Sequence, residues 1–185
     1  MLNKAVKKVL EIFVPKGYLL NDNVNNHYKT NMGKMKWLEN QTIMAVDNAE
    51  NNYPDNPKLL CWVERKENID INPKHFGLII NHIKLLNRPF DLLNYERTMK
   101  PSIDILTANG YWEDDNCRVC NPAIMIGGNA DFGIDDPFNM LDKDSKDRES
   151  ILELYSKKIP MYWLTKTKYT KITDYDLFQI YVIKR

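Results

Sequence analysis

Hydrophobic positions in this chain fall into short runs divided by polar, turn-rich stretches, and their spacing alternates between strand-like and helical. Val9-Leu10-Glu11-Ile12-Phe13-Val14, closed by Pro15 and Gly17, reads as a first strand. A polar loop over 21–29 follows, rich in side chains suited to phosphate and including Asn26, His27 and Lys29, with Lys34 and Lys36 soon after. Between about 35 and 48, Leu38, Ile43, Ala45 and Val46 suggest a helix with Trp37 near its start. Turn residues at 51–57 introduce a strand over 59–64, and Asn72-Pro73 introduces a longer buried strand over 76–86. The pattern next predicts a helix from about Tyr95, tolerating Pro101 near its start and ending at Gly110. One or two strands are expected after Asp115, and 178–183 reads as a closing strand. Between Gly127-Gly128 and Thr173 the pattern is interrupted by a charged segment, with a helix expected over 149–158. This segment, about 128–173, reads as an insertion before the last strand.

Composition narrows the class. At 185 residues and 21.8 kDa, with 43% hydrophobic residues, the chain suits one domain over 1–185 with a real core. The apolar runs are shorter than a membrane span, and the start lacks a signal-peptide pattern, so a cytoplasmic protein with no membrane partner is expected. Three cysteines give no disulfide framework, which suits a reducing compartment. A formal net charge of +1 announces no global field for a polyanion. Charge is nevertheless uneven, because acids crowd 131–149 while 157–171 holds five lysines and no acid.

The candidate chemistry lies in NYERTMKPSIDILTANGYWEDDN, residues 94–116. Glu96, Lys100 and Asp104 recur at four-residue steps, which would put them on one helical face, and the turn after Gly110 brings in Asp114 and Asp115. Taken alone, Glu96 and Lys100 are an i,i+4 ion pair worth ~0.3–0.5 kcal/mol, and the paired aspartates are an acidic turn.

Lys100, Asp104, Gly110 and Asp114-Asp115 also occur with the spacing of a known signature, fifteen residues from Lys100 to Asp115. In this the stretch resembles the RusA family of Holliday-junction resolvases. The resemblance covers most of 8–126 and 174–185 and leaves the insertion unmatched. It implies an α/β (α+β) fold, a small mixed sheet with two main helices, acting as a homodimer on branched DNA such as a four-way junction. It further implies Mg²⁺, replaceable by Mn²⁺, held by carboxylates, with a phage or prophage setting. The family's two leading aspartates fall here on Asn94 and Glu96, and its following asparagine on Arg97. Glutamate keeps the charge, whereas asparagine can ligate a hard cation but neither cancels charge nor acts as a base. Asp91 is a candidate substitute. The catalytic set implied is Glu96, Lys100, Asp114 and Asp115, with Glu96, Asp115, Asn94 and Asp91 as metal ligands and Asp104 in a supporting role. Asn26, His27, Lys29, Lys34, Lys36, Arg97, Lys166 and Lys168 are the DNA-contact candidates.

The remaining motifs carry less. Cys117-Arg118-Val119-Cys120 is a single CxxC without the second pair of a zinc site, and strand packing accounts for it. His27, His75 and His82 are scattered and suggest no catalytic set. The run 142–147 lacks the glycine of a calcium loop and reads as solvated charge. In 161–169, lysines alternate with aromatic rings, which suits either a strand facing DNA or a lysine-guarded edge strand. Two other function classes stay open at this level: a branched-DNA-binding module that does not cut, and a protein-interaction factor whose acidic insertion meets a basic partner.

Overall fold

The structure is a computed structural model, and it describes residues 6–21, 28–54, 56–86, 92–116, 118–129 and 148–185. Its centre is a five-stranded sheet of β1 (Val6–Pro15), β2 (Cys61–Val63), β3 (Phe76–Lys84), β4 (Cys120–Asn129) and β5 (Tyr175–Lys184), in the order β2-β1-β5-β3-β4. All neighbours are antiparallel except the parallel pair β3–β4. The fold is thus α+β with a mixed sheet, the class expected from the sequence. The last strand of the chain sits at the sheet's centre, between β1 and β3.

The apolar runs explain this arrangement. Central strands covered on both faces need hydrophobic side chains at successive positions rather than alternate ones. In β1, Leu10, Ile12 and Val14 enter one core while Phe13 enters another, and in β5, Phe178, Ile180 and Val182 separate from Tyr175 and Leu177 in the same way. Each such side chain contributes about 1.5–3 kcal/mol on burial. The first core is covered by α1 (Tyr28–Asn51) through Leu38, Ala45 and Val46 and by α2 (Lys100–Ala108) through Ile103 and Leu106. The second is covered by α3 (Arg148–Lys158) and α4 (Met161–Lys166), which contribute Ile151, Tyr155 and Trp163, with Ile159 from the link between them. The described part of the insertion therefore supplies one wall of a core.

Several boundaries differ from the sequence expectation. The first helix begins at Tyr28 rather than near 35, so Lys29, Lys34 and Lys36 are all helical. The second does not begin at Tyr95: residues Leu92–Met99 form a 3₁₀ helix, and α-helix starts at Lys100 with Pro101 in its first turn. One strand, β4, lies between Asp115 and the closing strand among the described residues. The expected strand over 161–169 is instead α4 and the bend after it. There Trp163 is buried and donates Nε1–H to the Lys58 carbonyl at 3.0 Å, so the rings face inward from a helix. Among the described residues no helix is long and apolar enough to cross a membrane.

Candidate active site

Two local structures deliver the ionisable residues to one place. The first is the 3₁₀ helix Leu92–Met99, fixed beneath by buried Thr98 and Met99. The Thr98 hydroxyl both accepts from Leu20 N–H and donates to Leu20 carbonyl, each at 3.2 Å, while Asn21 Nδ2 donates to the Tyr95 hydroxyl at 3.1 Å. Glu96 and Arg97, between these anchors, are left exposed.

The second is the turn after α2. Gly110 takes φ +75°, with Gly110 N–H bonded to Thr107 carbonyl and Tyr111 N–H to Leu106 carbonyl, the paired bonds that close a helix on a left-handed residue. Tyr111 and Trp112 then turn inward. Trp112 stacks on Phe76 with ring centroids 5.2 Å apart and donates Nε1–H to Thr107 Oγ1 at 2.7 Å. Glu113 N–H binds the Pro73 carbonyl at 3.1 Å. With two rings buried just before them, Asp114 and Asp115 are held close to the start of α2.

The result is a pocket of about 340 Å³ lined by Glu96, Arg97, Lys100 and Asp115 together with Leu78, Ile80, Ile103, Cys120 and Ala123. Lys100 Nζ donates to Asp104 Oδ1 at 2.7 Å and to Asp115 Oδ2. Asp104 and then Asp115 hold the ammonium above the usual lysine pKa. The expected Glu96–Lys100 ion pair does not form. Residues four apart share a face of an α-helix, but the step from 96 to 100 crosses a 3₁₀ segment with three residues per turn. Among the described residues Glu96 makes no ion pair and stays open to the pocket. Asp114 is spent on its own turn, accepting from Asp115 N–H at 2.7 Å and from Asn116 Nδ2. The backbone N–H of Asp115, followed by the Asn116 amide, keeps its carboxyl below the usual range.

The other candidates divide. Asp91, Asn26 and His27 lie outside the described residues, and so does the side chain of Asn94. Lys34 donates to the Leu19 carbonyl at 3.1 Å, and burial lowers its pKa. Lys29, Lys36, Lys166 and Lys168 are exposed. Ring contacts join their two segments: Trp37 of α1 meets Trp163 of α4 at 6.0 Å, and Tyr18 stacks on Trp37 at 4.4 Å and approaches Tyr169 at 6.4 Å. Gly17 packs closely there: a Cβ would come 2.0 Å from the Tyr169 hydroxyl and displace that ring. Cys120 is buried at the start of β4, in accord with strand packing, while Cys117 lies outside the described residues.

One ionisable pair was not expected. His82 Nε2 and Asp176 Oδ2 are 2.8 Å apart, both side chains fully buried. The His82 ring stacks on Phe178 and meets the edge of Tyr95 at 5.1 Å, directly behind the 3₁₀ helix that carries Glu96. Burial lowers the His82 pKa, although Asp176 pulls it the other way.

Could the site hold a cation? Among the described residues no three His, Cys, Asp or Glu side chains converge on a metal position. Among the described residues Glu96 and Asp115 alone supply carboxylates to the pocket. That donor set still suits Mg²⁺, which keeps several waters and is commonly bound through one or two carboxylates plus a substrate phosphate. Comparison with protein-family models, curated proteins and solved structures found no match for this chain.

Proposed function

We propose that this chain is a Mg²⁺-dependent endonuclease that resolves four-way DNA junctions or related branched DNA as a homodimer. The observation that carries this reading is the opening of Glu96, Lys100 and Asp115, spread over twenty residues of sequence, onto one pocket beside Arg97. Glu96 and Asp115 would hold the ion. When bound, it supplies an activated water and neutralises charge on the phosphodiester.

The chain's own groups do the rest. Lys100 is shared between Asp104 and Asp115, so a phosphate oxygen entering beside it exchanges one anionic partner for another and frees Asp115. The ammonium then offsets charge that grows on the phosphate. Arg97 at the pocket, with Lys29, Lys34, Lys36, Lys166 and Lys168 outside it, would bind the backbone and set the register of the duplex arms.

A second reading is favoured by one observation: only two carboxylates among the described residues line the pocket, and Asn94 stands where the RusA signature has an acid. In that reading the protein binds branched DNA without cutting it. A gel assay of a labelled four-way junction with Mg²⁺, Mn²⁺ or EDTA separates the two. The nuclease gives paired incisions with either metal and none with EDTA. Binding without incision, with cutting gained in Asn94→Asp, selects the second reading, and absence of junction binding removes both.

A further inference from the structure

The pocket below the carboxylates has a property that phosphodiester hydrolysis alone does not need. Its exposed side is charged, but the lining beneath, its floor, is aliphatic: Leu78 and Ile80 of β3 and Ile103 of α2, with the Cys120 thiol beside them and Ala123 of β4 at the exposed edge. Leu78, Ile103 and Cys120 are buried and belong to the first core, so the floor is a rigid surface continuous with it. A metal and a phosphate need oxygen donors and cations, which the rim supplies. An apolar floor binds neither.

Resting on the nucleic-acid reading above, we infer that this floor receives one unstacked base from the branch point while Arg97 and Lys100 hold the adjoining phosphates. Three features fit such an occupant. The volume, about 340 Å³, lies at the low end of the range of about 300–1,000 Å³ for pockets that enclose small ligands. Charge is divided as a nucleotide divides it, with cations where phosphate sits and hydrocarbon where a ring sits. Branched DNA also offers bases whose stacking is already broken, so extruding one costs least there.

Among the described residues the floor carries no charged or amide side chain to read a Watson–Crick edge, and it would therefore accept any of the four bases. The sulfur of Cys120 adds a polarizable contact of the kind that favours ring systems. Selection would thus act on the availability of an unpaired or unstacked base. Structure, rather than sequence, would decide where the enzyme settles.

The test uses the full chain and a four-way junction with 2-aminopurine beside the branch point, in EDTA so that nothing is cut. This base is bright when unstacked, and among the described residues the pocket lining contains no aromatic ring to quench it. The wild type should raise the fluorescence on binding. Ala123→Leu, which fills the pocket from an exposed strand position, should lose the rise at protein concentrations that saturate junction binding, while Ala123→Ser should keep it. An equal rise in Ala123→Leu, or junction binding by the wild type with no rise at any base beside the branch, overturns the base pocket and leaves the DNA reading intact. Absence of junction binding overturns both.

Discussion

Two acid–base groupings sit close together along the 3₁₀ helix and differ in almost everything except chemistry. At the rim, Lys100 is shared by Asp104 and Asp115, with Lys100 and Asp104 side chains each 55% exposed. Behind Tyr95, His82 and Asp176 face each other at 2.8 Å with no exposure. Water screens the first grouping, so its pairs add little to stability and can be exchanged for a ligand. The second is sealed, so neither partner can reach a substrate, and each is costly to leave alone. Accessibility, more than the presence of charge, distinguishes a site built for exchange from one built to hold the fold.

The largest effect expected from this contrast is at the sealed pair. Asp176→Ala should cost about 2 kcal/mol in denaturant unfolding, because it leaves the buried His82 imidazole without its hydrogen-bond partner. Replacing both partners by aliphatic groups, His82→Leu with Asp176→Val, should recover most of that loss. A loss below about 1 kcal/mol in Asp176→Ala would erase the contrast.

A smaller effect appears with pH. Burial depresses the folded-state pKa of His82, so below its unfolded value near 6.5 the unfolded chain binds the proton more readily. The stabilising contribution of neutral His82 is complete above about pH 6.5 and is lost as pH falls through the folded pKa. Unfolding free energy measured between pH 7.5 and about 5 should decline in the wild type, and His82→Gln should decline less steeply. Equal slopes would show that the imidazole is not held neutral by its surroundings.

The smallest effect belongs to the rim. Lys100→Met should change stability by less than ~1 kcal/mol while lowering junction cleavage at saturating Mg²⁺ by a hundredfold or more, on the order of one lost donor to a developing anion. A large loss of stability would make Lys100 a structural residue.

The sequence revealed the two groupings unequally, for physical reasons. Glu96, Lys100 and Asp115 are close in the chain and could be read from spacing, yet the reason for their convergence could not. Four-residue steps imply a continuous helix, whereas the chain runs as 3₁₀ to Met99 and the turn is pinned by buried Trp112. His82 and Asp176 lie 94 residues apart and meet through the register of β3 and β5, which pairs His82 with Phe178 and Lys84 with Asp176. A lone histidine in GLIINHIK and a lone aspartate in YDLFQIYV were the available signals. The central strands were legible because burial on both faces leaves unbroken apolar runs. The helix at Met161–Lys166 was not, because lysines alternating with rings imitate a strand while Trp163 turns inward from a helix.

If the rim around Asp115 is a metal-dependent cleavage site, removing one charge from it must abolish cutting without weakening binding. Asp115→Asn and wild type should be assayed side by side for affinity and for Mg²⁺-dependent incision of a four-way junction. The variant should bind the junction with equal or higher affinity, since a negative charge near phosphate has been removed, and should show no incision. Incision at the wild-type rate in Asp115→Asn would contradict the claim, and the residues that cut would then have to be sought outside this pocket.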